Sequence, residues 1–257
     1  MSERVLTPKA ERTRERIFAA ALSLFSEKGY ERATMRDVAK AADASLGLAY
    51  RYFASKEELV LELYLRLAEG FGERVRQELP AGTVAERFEV AMFIKLELAG
   101  PYREPLGALT ASALNPNSGI AVLGPGTARI RKRVDGVFLE VVNGASDAPR
   151  GERQRREMAA VLNAAHLGVL LYWFHDRSEG NRATREAVAF ARDAIRLVRP
   201  TLKLTPAARA FTRLTGVLVA MGIGGPSPPG PPAMPGEGWR TEGGLGPSGL
   251  SGGTARW

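Results

Sequence analysis

TMRDVAKAADASLGLAYRYFASKEE, residues 34–58, decides the fold. Thr34 has the side chain of a helix N-cap, with Asp37 three residues on to answer it, and Met35, Val38, Ala39 and Ala42 then recur at helical spacing on one face. That spacing predicts a helix of about two turns. Asp43-Ala44-Ser45 interrupts it, because Asp tolerates the left-handed conformation and Ser45 is a cap for a second helix holding Leu46 to Phe53. A three-residue connection between two short helices is the spacing of a helix-turn-helix. Ser55-Lys56-Glu57-Glu58 reads as a further capping box, which puts Lys56 in the first turn of a third helix, where a cation at a helix N-terminus suits phosphate.

The second short helix has the chemistry of a groove reader. Gly47 inside it costs roughly 1 kcal/mol relative to Ala, so a bare backbone there asks for a reason, and close approach to DNA is one. Ser45, Leu46, Gly47 and Leu48 occupy the end at which a recognition helix meets base edges, Leu48 being suited to shape or a thymine methyl. Tyr50, Arg51 and Tyr52 carry donors for phosphate oxygens, which set register without reading sequence.

The run Thr34…Asp37-Val38-Ala39…Ala42…Ser45-x-Gly47-x-x-Tyr50-x-Tyr52-Phe53-x-Ser55-Lys56-Glu57-Glu58-Leu59 resembles the DNA-binding domain of tetracycline-repressor (TetR) family regulators. It departs from the usual pattern in Asp43, where Gly is common, and in Ala44 and Ala49, where larger aliphatics are common; Leu22 or Phe25 is expected to fill the space. The resemblance implies an all-α chain in two parts. Residues 1–60 form a three-helix helix-turn-helix DNA-binding domain, with the motif at about 34–53. Residues 61–221 form a larger helical domain for effector binding and dimerisation. The DNA-contacting candidates are Thr34, Arg36, Ser45, Leu46, Gly47, Leu48, Tyr50, Arg51, Tyr52 and Lys56.

Outward from this stretch, Thr7-Pro8 opens a helix through Ile17, Ala21, Leu24 and Phe25 that stops at Gly29, and Met1 to Leu6 reads as a loose arm. Arg12, Arg14 and Arg16 suit either flanking phosphate or an exposed face. The helix from Ser55 continues through Leu59, Leu63, Leu67, Phe71 and Val75 to Pro80, too long for the motif alone, with Gly70 and Gly72 as bend points or close contacts. Thr83-x-x-Glu86 caps another helix to Gly100. Arg103 to Leu114, Thr127 to Asn143, Arg153 to His175, Arg182 to Val198 and a segment from Thr205 through Val219 complete the helical pattern, with Pro200 ending the helix that begins at Arg182. Leu167 to Phe174 is apolar almost all round and needs cover on several sides. The resemblance implies that this helix and the next form a four-helix bundle with their copies in a homodimer. It also implies a cavity for a small, often apolar effector whose binding moves the reading heads apart. Phe71, Phe88, Met92, Phe93, Phe138, His166, Leu170 and Trp173 are the candidate lining, although core packing explains most of them.

Composition narrows the rest. The chain of 257 residues has no Cys, so disulfides and thiolate metal sites are excluded, and no apolar run is read as a bilayer span; a cytoplasmic location without membrane partner is expected. The net charge of +8 is not concentrated in the head, where residues 1–60 hold 11 Lys/Arg against 9 Asp/Glu. Much of it lies in Arg129 to Arg133 and Arg150 to Arg156, which solvated faces explain as well as an anionic partner. His166 and His175, nine apart and without acidic neighbours at ligand spacing, make no metal site, and His166 reads as a hydrogen-bonded core residue or a polar anchor in a pocket. Phosphate loops, nucleophile elbows and paired-carboxylate motifs are missing, so neither catalytic residues nor a cofactor are expected. Residues 222–257 carry 12 of the 28 Gly and 7 of the 16 Pro, a composition that predicts a disordered tail. The reading is a DNA-binding transcriptional repressor released by a small molecule and bound to double-stranded operator DNA. The alternatives are a ligand-independent regulator or activator and a helical interaction module.

Overall fold

The computed structural model describes residues 7–201 and 205–224. Among them are ten α-helices and no strand: α1 (Pro8–Lys28), α2 (Met35–Ala41), α3 (Leu46–Tyr52), α4 (Lys56–Glu78), α5 (Val84–Ala99), α6 (Arg103–Leu114), α7 (Ala128–Asn143), α8 (Glu152–His175), α9 (Arg182–Thr201) and α10 (Thr205–Ala220). The arm at residues 1–6 and the tail beyond 224 lie outside the described residues.

Two apolar cores share one helix. The first gathers Ile17, Phe18, Ala21 and Phe25 of α1, Val38 of α2, Ala49 of α3, and Leu59, Leu63 and Leu67 of α4. The second gathers Phe71 and Val75 of α4, Phe88 and Met92 of α5, Phe138 of α7 and Leu162 of α8. The division expected at residue 60 therefore falls inside α4. Its first half belongs to the head and its second half to the larger domain, so the helix is a rigid link between them. A second link is α6. Its Leu106 and Leu109 enter the head's core, Ser112 Oγ donates to Glu31 Oε1, and its first residue, Arg103, donates to Trp173 O at the end of α8 and to Asn181 Oδ1 in the turn before α9.

The small residues of the helix-turn-helix are accommodated as the sequence suggested. Leu22 and Phe25 are buried in the same cluster as Ala49, Ala44 packs on it, and the Phe18 and Phe53 rings lie 6.4 Å apart beneath α3. Polar struts tie α1 to α4: Arg14 pairs with Glu62 at 2.9 Å, and Arg66 bridges Glu62 and Glu15. In the larger domain the buried Arg87 donates to Pro80 O, Glu140 O and Val141 O, which satisfies carbonyls at the open C-terminal end of α7. Gly144 lies against that guanidinium, where an added Cβ would come within 2.4 Å of Arg87 Nη2.

Three expectations need correction. Pro200 does not end α9, which runs to Thr201; the proline lies in the last turn, where it removes a single helical hydrogen bond, the one to Arg196 O, and the helix closes one residue past it. Residues 222–224 are not part of a disordered tail. Ile223 is buried, Arg131 donates to Gly222 O, and Gly224 N donates to Asp135 Oδ1. Among the described residues one helix is long and apolar enough, by length and composition, to cross a membrane: α8, with a mean hydropathy of 1.3 over its most apolar stretch. It lies against α7, α9 and α10, with Met158, Leu162 and Val169 buried in the second core and Trp173 in the first, so in this fold it is a core helix.

Candidate nucleic-acid interface and buried polar site

The reading head is held by short-range bonds that follow from its sequence. Thr34 Oγ1 accepts from Asp37 N at 3.2 Å while Asp37 Oδ2 accepts from Thr34 N at 3.1 Å, a complete capping box. Asp43 turns the chain at φ 47°, the left-handed region that its short polar side chain tolerates. Ser45 Oγ then accepts from Leu48 N and starts α3. Ala49 and Phe53 anchor the inner side of α3, and what remains outside is Ser45, Leu46, Gly47, Tyr50 and Arg51. Leu48 and Tyr52 are half-buried, with the Arg51 guanidinium over the Tyr52 ring. Nothing lies within 4 Å of where a Cβ on Gly47 would be, so no contact inside the protein demands the glycine.

Other members of the candidate set are less free. Thr34 spends its hydroxyl proton on Asp37, while Arg36 is exposed. Lys56 Nζ donates to Tyr30 O at 3.0 Å and Glu31 O at 3.3 Å and sits 4.3 Å above the Tyr30 ring. Its ammonium thus clamps the loop before α2, leaving part of its donor capacity outward. The box expected around it is half formed: Ser55 Oγ accepts from Glu58 N, but the Glu58 carboxylate reaches Ala54 N and not Ser55 N. Of the three arginines on α1, Arg14 is committed to Glu62 and the Phe53 ring, Arg16 reaches Asp43 O, and Arg12 is exposed.

The basic clusters further along are largely spent internally. Arg131 donates to Val122 O, Gly124 O and Thr127 Oγ1, Arg133 pairs with Glu69, Arg153 with Glu157 and Arg156 with Glu152. These contacts remove much of the motive for an acidic partner.

The effector-lining candidates divide. Phe71, Phe88, Met92 and Phe138 are fully buried together, Phe93 packs on their cluster, and His166 joins them with its ring 5.1 Å from Phe138 and 6.2 Å from Phe71. Leu170 and Trp173 belong instead to the head's cluster, where Arg103 lies over the Trp173 ring. They share a face of α8 with His166, but one and two turns further along its axis that face has passed from the second core to the first.

Three residues of this region were missed. Lys95 is buried, with Nζ 5.2 Å from the Phe71 ring centre, and no acidic side chain among the described residues pairs with it. Burial pushes its pKa down to about 8. Its position three residues after Met92 and seven after Phe88, a charge on the apolar face of α5, was the available signal. Asn163 and Asp135 are the others. Asp135 Oδ1 accepts from Gly224 N and from Asn163 Nδ2 at 2.6 Å, and Asn163 Oδ1 faces His166 Nδ1 at 3.1 Å. Burial, reinforced by the Lys95 charge, holds His166 well below the usual imidazole range, and its Nε2 is buried without a partner. An open cleft of about 530 Å³ lies elsewhere, between α8 and α10, edged by the charged Glu152, Arg153 and Arg156. The buried polar groups, not that solvated cleft, have the chemistry of a ligand site.

Lys95 gives a pH prediction. Its folded-state pKa, near 8, is below the unfolded value of about 10.5, so between the two the unfolded chain holds a proton that the folded chain has released. Wild-type stability should therefore rise, relative to Lys95→Met, by on the order of 2 kcal/mol between pH 8 and 10.5. Parallel denaturant titrations of the two proteins check this; a pH-independent difference would mean that Lys95 is not desolvated.

Comparison with known proteins gives a consistent answer. Residues 17–63 match the family model described as bacterial regulatory proteins, tetR family, and residues 87–214 match that of the tetracyclin repressor-like C-terminal domain. The chain is 31% identical over 189 residues to the HTH-type transcriptional repressor KstR of Mycolicibacterium smegmatis, which covers 72% of this chain and 88% of that protein. It is 30% identical over 161 residues to the HTH-type transcriptional regulator TcmR of Streptomyces glaucescens, covering 63% of each. A solved tetR-family regulator from Streptomyces coelicolor superposes with a TM-score of 0.56 at 18% identity, over 82% of this chain and 89% of that one. At that identity the likeness speaks for the fold.

Proposed function

The chain belongs to the tetR family of bacterial regulatory proteins, DNA-binding regulators of transcription, and from that premise we propose that it is a dimeric repressor released from its operator by a small molecule. The observation that carries the DNA-reading part is α3: capped, anchored from beneath, and bare at Gly47 with no internal cause. Leu46, Gly47 and Leu48 meet base edges in the major groove, while Tyr50, Arg51, Tyr52 and the α4 start at Lys56 hold phosphates on either side.

Dimerisation is supported by what the protomer leaves uncovered. On α8, Gly168, Leu171, Tyr172 and His175 form one exposed stripe at helical spacing; on α9, Phe190 and Leu197 are about three-quarters exposed. A contiguous apolar face of this kind calls for a partner, and a self-complementary patch supplies one by two-fold symmetry. Two heads then meet two successive major grooves. Release by an effector is supported by α4, which runs from the larger core into the head's core, and by α6, which packs in the head's core and is bonded through Arg103 to the end of α8, so that a change in one core is felt in the other.

Titration of the protein against DNA upstream of its own gene, over a range of salt, tests this. Lys56→Gln should weaken binding to all sequences alike and lower the salt slope by about one. Leu48→Ala should instead change which operator variants are preferred. An unchanged salt slope for Lys56→Gln, or uniform weakening from Leu48→Ala, would contradict these roles.

A further inference from the structure

The second core contains two polar groups that its packing leaves unanswered. Lys95 of α5 presents an ammonium among aromatic side chains with no acidic partner among the described residues, and His166 of α8 presents a bare Nε2. A cation held against an aromatic ring without a counter-charge and a buried nitrogen without a partner are both costly. Their cost is recovered if something else comes to meet them.

The hydrogen bonds behind His166 define what that partner must bring. Gly224 N–H is a donor without ambiguity, so the Asp135 Oδ1 it reaches is an acceptor. Asn163 therefore turns its amide Nδ2 to Asp135 and its Oδ1 to the imidazole. Asn163 Oδ1 takes the Nδ1 proton of His166, and in the neutral ring Nε2 is left as a lone-pair acceptor. The two unanswered groups thus ask for opposite things, a negative oxygen at Lys95 and an O–H at His166.

We infer that the effector is an apolar hydroxy acid, whose carboxylate pairs with Lys95 Nζ and whose hydroxyl donates to His166 Nε2, with its apolar body among Phe71, Phe88 and Phe138. This rests on the effector-released reading above and adds the ligand's chemical class. The rings are closely packed, with Phe71 and Phe138 5.8 Å apart, so a ligand enters only by parting them. Phe71 is on α4, the helix whose first half is in the reading head, and its displacement is a route from the site to the DNA.

The test is a binding titration of the full chain with straight-chain C8–C12 3-hydroxy acids, the same acids without the hydroxyl, and the methyl esters of both. Wild type should bind the hydroxy acids about tenfold or more tightly than their esters, the value of one charge-assisted hydrogen bond. In Lys95→Met that preference should fall below about twofold. In His166→Phe the acid preference should persist while the advantage of the hydroxyl is lost. Esters binding as well as acids, or an acid preference that survives in Lys95→Met, would overturn the inference while leaving an effector in place. If none of the compounds binds to a protein that still holds its operator, the inference fails. If unrelated neutral compounds also fail to release that operator, the effector-released reading fails with it.

Discussion

Gly47→Glu should fold at least as stably as the wild type and yet bind its operator about 1,000-fold or more weakly, at the level of random DNA. Both halves of this result follow from the surroundings of the residue. A side chain at position 47 meets nothing within 4 Å, so it disturbs no packing, and replacing glycine in a helix gains up to about 1 kcal/mol. A carboxylate in the first turn of α3 also lies favourably in the helix dipole. The same carboxylate, on the outward side of the helix, meets the phosphate-lined groove with like charge and with bulk where the backbone must come close. Thermal melts and gel-shift titrations on one preparation check both halves. If Gly47→Glu binds as well as wild type, α3 is not the element that enters the groove. Loss of binding together with loss of stability would make Gly47 a structural requirement instead.

The second large effect concerns assembly. Phe190→Glu combined with Leu197→Glu should convert a dimer to a monomer and reduce operator affinity by about 100-fold or more, with the helical content of each protomer unchanged. Both side chains project from α9 with three-quarters of their surface exposed, so their replacement disturbs little packing within the chain. The loss of affinity arises from geometry: two linked heads hold a palindrome with the second contact made intramolecularly, whereas a lone head has only its own half-site. Sedimentation velocity reads the first part and anisotropy titration the second. A double variant that stays dimeric would move the interface to another surface, for which the exposed Leu214 and Val217 of α10 are the next apolar candidates.

What was legible in the sequence was what short-range chemistry determines. Thr34 with Asp37 and Thr83 with Glu86 fixed two helix starts because each cap is closed within four residues. The range of α6 could be read because Asn115-Pro116 follows it, and the left-handed turn because Asp43 stands where the chain must reverse. What was not legible depends on partners far away in the chain. Lys56 looked like a free phosphate ligand until the loop at Tyr30 and Glu31 folded against it, 25 and more residues before it. Trp173 and Leu170 carried the right chemistry for the second core but pack in the first. Ile223 was lost in a glycine-rich composition, although its two neighbours are held by Arg131 and Asp135 on α7. Lys95 was passed over because a lysine on an apolar face is ordinarily taken to extend its stem and keep its charge in water, and only the packed helices reveal that this one is largely buried with its ammonium at the Phe71 ring.

The most direct measurement is the stoichiometry and affinity of the wild-type protein on DNA upstream of its own gene, compared with random DNA of equal length at physiological salt. One protein dimer per near-palindromic site, bound about 1,000-fold or more tightly than random sequence, is the result predicted for two copies of α3 held at a fixed spacing. A monomer in solution that shows no preference for that DNA would contradict the account.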